Sequence, residues 1–219
     1  QVSVRLAESG VAVTVLAFNI IQGQEMRRKH GPETEPAYRS DVESLGDYYN
    51  SEFMLRLRPS LLSKSDVSAE PFIPKHEATQ RLQSLFITQN SHPTGAKHKF
   101  DGPGDGSVYD NLHRRFHPAI RSFLEKFGYY DIFLVEPKNG HIVYSVFKEV
   151  DFGTSLLTGP YKDSNFAKVF KQARQAKNPD AVFLADYEPY APSYNAPAAF
   201  IASPIFSGAE LVGVAVFQM

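Results

Sequence analysis

The stretch Glu210-Leu-Val-Gly-Val-Ala-Val-Phe-Gln218 decides how the fold is read. Its β-branched and aromatic residues predict a strand, in which successive side chains point to opposite faces. Apolar residues occupy both faces: Leu211, Ala215 and Phe217 on one, and Val212, Val214 and Val216 on the other. Such a strand has to be covered on both sides. We therefore expect a sheet with helices on one face and loops or a cavity on the other.

Four more strands and one helix are predicted upstream of this stretch. The strands are expected at residues 132–135, 141–147, 181–185 and 198–203. The first two form a hairpin around the turn Pro137-Lys-Asn-Gly140, and the last pairs with 210–218 around Ser207-Gly208. Asp163 or Ser164 can cap a helix that ends before Asn178-Pro179. The order hairpin, helix and three strands predicts a five-stranded antiparallel sheet.

The N-terminal half of the chain has helical periodicity instead. Apolar residues recur at three- and four-residue intervals over residues 2–29, about 37–57 and 75–88, and again from Ser107. Because Pro118 disfavours a helical conformation at His117, we expect the last of these helices to break there. We predict an α+β fold class, with an N-terminal helical region (residues 1–126) and a sheet domain (residues 127–219).

Composition limits the possible partners. The chain has 23 Lys+Arg against 24 Asp+Glu, so its charge gives no reason to expect nucleic acid as a partner. It has no cysteine.

The apolar run Gly10–Ile21 is too short for a bilayer, which needs about 20 residues. The first residue is Gln1, and we expect a piece of a longer protein whose membrane anchors lie outside it.

Three segments of the second half resemble the Cache sensor domains of bacterial transmembrane receptors. These are Phe127-Gly-Tyr-Tyr-Asp-Ile-Phe-Leu-Val-Glu136, Gly140-His-Ile-Val-Tyr-Ser-Val-Phe-Lys-Glu-Val-Asp-Phe-Gly-Thr-Ser-Leu156, and Ala199-Phe-Ile-Ala-Ser-Pro204 leading into the last strand. The resemblance covers roughly residues 127–219 and implies a PAS-like sheet. A looser likeness to the N-terminal regions of the same receptors extends from His92 to Pro118. The Arg-x-Trp-Tyr pattern of amino-acid-binding double Cache receptors is absent, and the chain has no Trp.

The resemblance implies signal transduction, as in chemotaxis receptors. It implies a periplasmic or extracellular ligand-sensing domain that is flanked by transmembrane helices in the full-length protein and binds a small polar or anionic molecule. The output could be a chemotaxis region, cyclase, histidine kinase or phosphatase. The alternative is a protein-docking module or a homodimer that uses the helix at 37–57 and has no small-molecule ligand of its own.

Aromatic and charged residues of the second half are the candidate ligand contacts. Aromatic walls with a few polar groups suit a small-molecule pocket. The predicted contacts are Tyr144, Lys148, Asp151, Tyr161, Asp186, Tyr187, Tyr190 and Tyr194. Lys148 would meet an anionic group, or it would form an exposed ion pair with Asp151 of little energetic value.

Catalytic and metal sites are not predicted. The sequence has no phosphate-binding glycine loop, no Gly-x-Ser-x-Gly and no His-Glu-x-x-His. Asp110, His113 and His117 have a spacing that would suit metal ligands, but Pro118 and the neighbouring arginines argue against a cation there. We expect the histidines to bond to the preceding loop, and we predict no catalytic residue, no metal and no cofactor.

Overall fold

The computed structural model describes residues 35–61 and 67–219. Helix α1 (Glu35–Tyr48) continues through a π-helical turn (Tyr49–Phe53) and a last α-helical turn (Met54–Leu57). Helix α2 (Glu77–Gln83) also runs on into a π-helical turn, Ser84–Thr88. The helices predicted at 37–57 and 75–88 are therefore confirmed. The helix predicted at 2–29 and the apolar run Gly10–Ile21 lie outside the described residues.

Helix α3 (Val108–Phe127) is continuous, so the predicted break at Pro118 is wrong. Ser107 caps its first turn, and Gly128 ends it with a positive φ of 73°. Proline removes one helical hydrogen bond, but side chains before and after Pro118 hold the helix in place. His113, His117, Ile120 and Leu124 are all buried along it.

Five strands form one antiparallel sheet in the order β2-β1-β5-β4-β3. The strands are β1 (Asp131–Val135), β2 (Ile142–Ser145), β3 (Phe183–Tyr190), β4 (Ala196–Ser207) and β5 (Glu210–Gln218). Helix α4 (Asn165–Ala173) lies between β2 and β3, and the predicted cap at Ser164 is confirmed because its hydroxyl accepts the Ala167 amide at 3.1 Å. The predicted fold class is therefore confirmed.

Helices cover both faces of the sheet, which corrects the expectation of helices on one face only. On one face, α1 and α4 pack over Phe133, Phe200 and Val216. On the other, α3 and the α2 segment pack over Ile132, Leu134 and Ala215. The alternation of apolar residues in β1 and β5 supplies both cores.

Candidate functional site

The eight predicted ligand contacts lie in three separate places. Tyr144 and Lys148 are buried in the core under α3. Four others lie in or beside the core under α1 and α4: Asp151, Tyr161, Tyr190 and Tyr194. Asp186 and Tyr187 are exposed on β3, an edge strand of the sheet. The predicted strand ended at Ala185, whereas β3 continues to Tyr190, and this places Asp186 and Tyr187 on the strand instead of a loop.

The turn after β2 positions a buried carboxylate. The Phe152 amide donates to the carbonyl of Glu149 at 3.0 Å, and the Thr154 amide donates to the carbonyl of Asp151 at 2.9 Å. Gly153 has a φ of +81°, a conformation that glycine adopts without steric cost. This turn holds the Asp151 side chain in a fully buried position.

Two buried oxygens of this region have no hydrogen-bond partner among the described residues. Oδ2 of Asp151 accepts a hydrogen bond from the Tyr190 hydroxyl at 2.6 Å. Oδ1 accepts no hydrogen bond of normal geometry, although the backbone amides of Asp151 and Phe152 lie close enough to the carboxyl to favour its ionised form. The hydroxyl of Tyr161 is also without a partner. The rings of Tyr161 and Tyr190 are 6.1 Å apart. Most buried polar groups in proteins are hydrogen-bonded, so these two oxygens mark a place where a water molecule or a polar group of a ligand can bind.

We refer to Asp151, Tyr161 and Tyr190 as the Asp151 cluster. Burial raises the pKa of the Asp151 carboxyl to about 7, although the Tyr190 hydrogen bond opposes the change. Burial also raises the pKa of both tyrosines well above the ordinary value, so both hydroxyls keep their protons near neutral pH. The cluster can therefore donate a hydrogen bond from Tyr161 and either donate or accept one at Asp151.

Acidic character extends along the same turn to Glu149. Its carboxylate accepts hydrogen bonds from Tyr130 at 2.8 Å and from Ser193 at 3.1 Å. Burial raises the pKa of Glu149 well above its ordinary value, and the negative charge of Asp151 raises it further. The two carboxyls therefore disfavour each other's ionisation.

The helices that precede the sheet hold the backbone of this turn. The amide of Gln83 donates to the carbonyls of Val150 and Phe152 at 2.8 and 2.7 Å. The hydroxyl of Tyr49 lies 2.9 Å from the Gln83 oxygen and 3.1 Å from the Val150 carbonyl oxygen. Tyr49 belongs to the helix predicted at 37–57, whereas no sequence pattern marks Gln83, because a lone glutamine in a helix carries none.

Lys148 does not join the Asp151 cluster. Its residue has a positive φ of 57°, and its ammonium donates to the carbonyl of Ser145. The nitrogen lies 4.5 Å from the centre of the Tyr144 ring and 5.2 Å from that of Phe152. Burial lowers the pKa of Lys148, and the Asp131 carboxylate opposes this. Both Lys148 and Asp151 are buried, so the expected exposed ion pair is absent.

The paired histidines of α3 bond to the preceding loop, as predicted. Nδ1 of His113 lies 2.7 Å from the carbonyl oxygen of Asp101, and Nε2 of His117 lies 2.7 Å from that of His98. Each of these nitrogens must carry a proton, because a carbonyl only accepts. Asp110 pairs with Arg114 at 3.0 Å. Across residues 35–61 and 67–219, no group of three or more potential ligands is placed to hold a metal.

No family model matches the chain, and neither a curated protein nor a solved structure does. Within the described part of the chain, no helix has both the length and the apolar character needed to cross a bilayer. The function of the protein is therefore inferred from its own residues.

Proposed function

We propose that this chain is the extracytoplasmic ligand-sensing domain of a bacterial transmembrane signal-transduction receptor, of the Cache kind and chemoreceptor-like. In this proposal it binds a small polar molecule at the Asp151 cluster. The observation that carries the proposal is the pair of buried, unpartnered oxygens, Asp151 Oδ1 and Tyr161 Oη. A ligand with a donor and an acceptor group would satisfy both, and the surrounding rings would bind its apolar part.

A sensor also needs a route from its ligand to its flanking helices. Binding shifts a conformational equilibrium only if the ligand has different affinities for the two states. Gln83 and Tyr49 bring α1 and α2 into contact with the turn that carries Asp151. A ligand that moved this turn would therefore act directly on the N-terminal helices.

The proposal is tested by thermal melts of the protein against organic acids, amino acids, amines, purines and divalent metals. Ligand binding to the native state alone raises the melting temperature by mass action. We expect a dose-dependent shift from one chemical class, and we expect Tyr161→Phe to reduce it. The matched control is Tyr187→Phe, which removes a tyrosine hydroxyl from an exposed position on β3. An equal shift in both variants would rule out the Asp151 cluster as the site.

A second candidate function is dimerisation without a small-molecule ligand. The apolar stripe of α1 is not the surface for it, because Leu45, Tyr49, Phe53 and Leu57 are at most 1% exposed. Dimerisation is favoured by two exposed apolar residues at edge strand β3: Val182, just before the strand, is 66% exposed, and Leu184, within it, is 64% exposed. Exposed apolar residues on an edge strand favour pairing with another chain. Sedimentation of wild type and Leu184→Lys over a range of concentrations decides between a dimer and a monomer.

A further inference from the structure

A cavity of about 520 Å³ lies between residues 71–79 and the loop 154–162. Its volume is in the range of small-molecule sites, roughly 300–1,000 Å³. Of the described residues that line it, none is among the eight contacts predicted from the sequence. The cavity is therefore distinct from the Asp151 cluster.

Basic side chains line this cavity without any acidic one among the described residues. The basic residues are Lys75, His76, His141 and Lys162. Both lysines are exposed, and neither has a carboxylate within ion-pair distance in the described part of the chain. Lys168, by comparison, pairs with Glu188 at 2.8 Å. A concave surface with one sign of charge concentrates counter-ions, so this cavity attracts anions.

Two imidazoles also line the cavity. The ring centres of His76 and His141 are 5.7 Å apart. Nδ1 of His141 donates to the carbonyl of Gly153 at 3.0 Å, so Nε2 is the accepting nitrogen of the neutral ring. Burial lowers the pKa of His76, and the neighbouring charge of His141 lowers it further, while Glu77 opposes both. Because its pKa lies below 6.5, His76 is mostly neutral at pH 7, so the positive charge of the cavity comes from Lys75 and Lys162.

Hydroxyl groups and an apolar wall limit the kind of anion. Three of the four lining hydroxyls already donate to backbone carbonyls: those of Thr79, Thr154 and Ser155. The hydroxyl of Thr158 has no such bond among the described residues. Prolines and an isoleucine complete the wall: Pro71, Ile73, Pro74 and Pro160. The apolar wall suits an organic molecule better than a bare hydrated ion.

We propose that this cavity is a second binding site, which takes a small organic anion with a carboxylate or phosphate group. Lys75 and Lys162 pair with the anionic group, Thr158 donates to it, and the prolines contact its carbon skeleton. One hydrogen bond connects this site to the Asp151 cluster: the hydroxyl of Thr154, which lines the cavity, donates to the Asp151 backbone carbonyl at 2.7 Å. The proposal does not depend on the sensing function.

Calorimetric titration with citrate, glycerol 3-phosphate and inorganic phosphate at constant ionic strength tests this site. We expect an organic anion to bind wild type and to bind Lys75→Gln/Lys162→Gln at least tenfold more weakly. The matched control is Lys99→Gln/Lys126→Gln, which removes the same charge from two exposed lysines that do not line the cavity. We expect it to bind within twofold of wild type.

Three results would overturn the proposal: no binding of either organic anion, equal losses in the two double variants, or inorganic phosphate binding as tightly as the organic anions. The last would identify a site for a bare ion. Tyr161→Phe separates this site from the Asp151 cluster, because we expect it to leave anion binding unchanged. Failure of the sensing proposal would therefore not be mistaken for failure of this one.

Discussion

The hydroxyl of Tyr190 donates a 2.6 Å hydrogen bond to Asp151, which is 39 positions earlier in the chain. This bond joins the end of β3 to the turn after β2, at opposite edges of the sheet order. It satisfies one oxygen of a fully buried carboxyl and leaves the other without a partner among the described residues. The stability of the protein should therefore depend on whether that carboxyl is ionised.

Asp151→Asn should change the pH dependence of stability. The pKa of Asp151 rises from 3.8 to about 7 on folding, so the folded state binds an extra proton between these values. The contribution of the Asp151 carboxyl to the free energy of unfolding is fully present below about pH 4 and is lost as the pH rises towards 7. At about 1.4 kcal/mol per pKa unit, the loss is roughly 4 kcal/mol. Urea unfolding of both proteins from pH 4 to 8 measures it, and parallel stability curves would contradict the prediction.

His117 should give the opposite dependence. Burial lowers its pKa from 6.5 to about 3, so the unfolded state binds the extra proton in this range. Its contribution to stability is complete above pH 6.5 and is lost as pH falls towards 3. His117→Gln should be less stable than wild type at pH 7, because one of the two hydrogen bonds of the imidazole is lost. It should also be less sensitive to acid, because glutamine does not titrate. Acid unfolding followed by circular dichroism checks this, and equal acid sensitivity would contradict it.

Two tyrosine-to-phenylalanine changes should differ in sign. Tyr161→Phe removes a buried hydroxyl that has no partner, so the free energy of unfolding should rise slightly, by up to about 1 kcal/mol. Tyr49→Phe removes a hydroxyl that contacts Gln83 and Val150, so the free energy of unfolding should fall by about 1–2 kcal/mol. Urea unfolding at pH 7 compares them. A loss in Tyr161→Phe as large as in Tyr49→Phe would indicate that the Tyr161 hydroxyl has a partner.

Gly140→Ala should be much more destabilising than Gly128→Ala. Both glycines have nearly the same positive φ, 72° and 73°, so the strain of roughly 1–2 kcal/mol for a side chain is shared. A Cβ at Gly140 would lie 2.8 Å from Leu157 and 3.1 Å from Phe170, whereas one at Gly128 meets nothing within 4 Å. Overpacking adds about 1–3 kcal/mol for Gly140→Ala alone. Equal urea midpoints for Gly140→Ala and Gly128→Ala would contradict the prediction, because they would show that Leu157 and Phe170 can move aside at little cost.

Local sequence patterns were enough to predict most of the fold. Alternation of apolar residues and the Ser164 cap depend on neighbours in the chain; the cap is confirmed, and so is the alternation from Val214 to Phe217. Val212 was predicted on the face of Val214, but it packs with Ala215 and Phe217 because the pairing of β4 with β5 is irregular at this point.

The predicted break at Pro118 does not occur, because the packing of His117 outweighs the local cost of the proline. The His117 ring forms hydrogen bonds with both the Tyr144 hydroxyl and the His98 carbonyl. Tertiary contacts of this kind have no signature in a single sequence.

The candidate site was predictable only in part. Asp151, Tyr161 and Tyr190 were predicted and do lie together, but Tyr144 and Lys148 lie in the other core. The left-handed backbone at Lys148 is unusual for a lysine, and no residue type signals it. The basic cavity was not predicted at all, because its two lysines and two histidines come from three separate segments of the chain.

The covering of both sheet faces by helices limits how the chain can be divided. A fragment that began at residue 127 would keep all five strands and α4, but it would lose α1, α2 and α3. The whole face with Ile132, Leu134 and Ala215, and part of the face under α1, would then be bare to water. Large exposed apolar patches drive aggregation. We therefore expect the fragment 127–219 to aggregate when it is produced alone. A fragment for expression or fusion should begin upstream of α1.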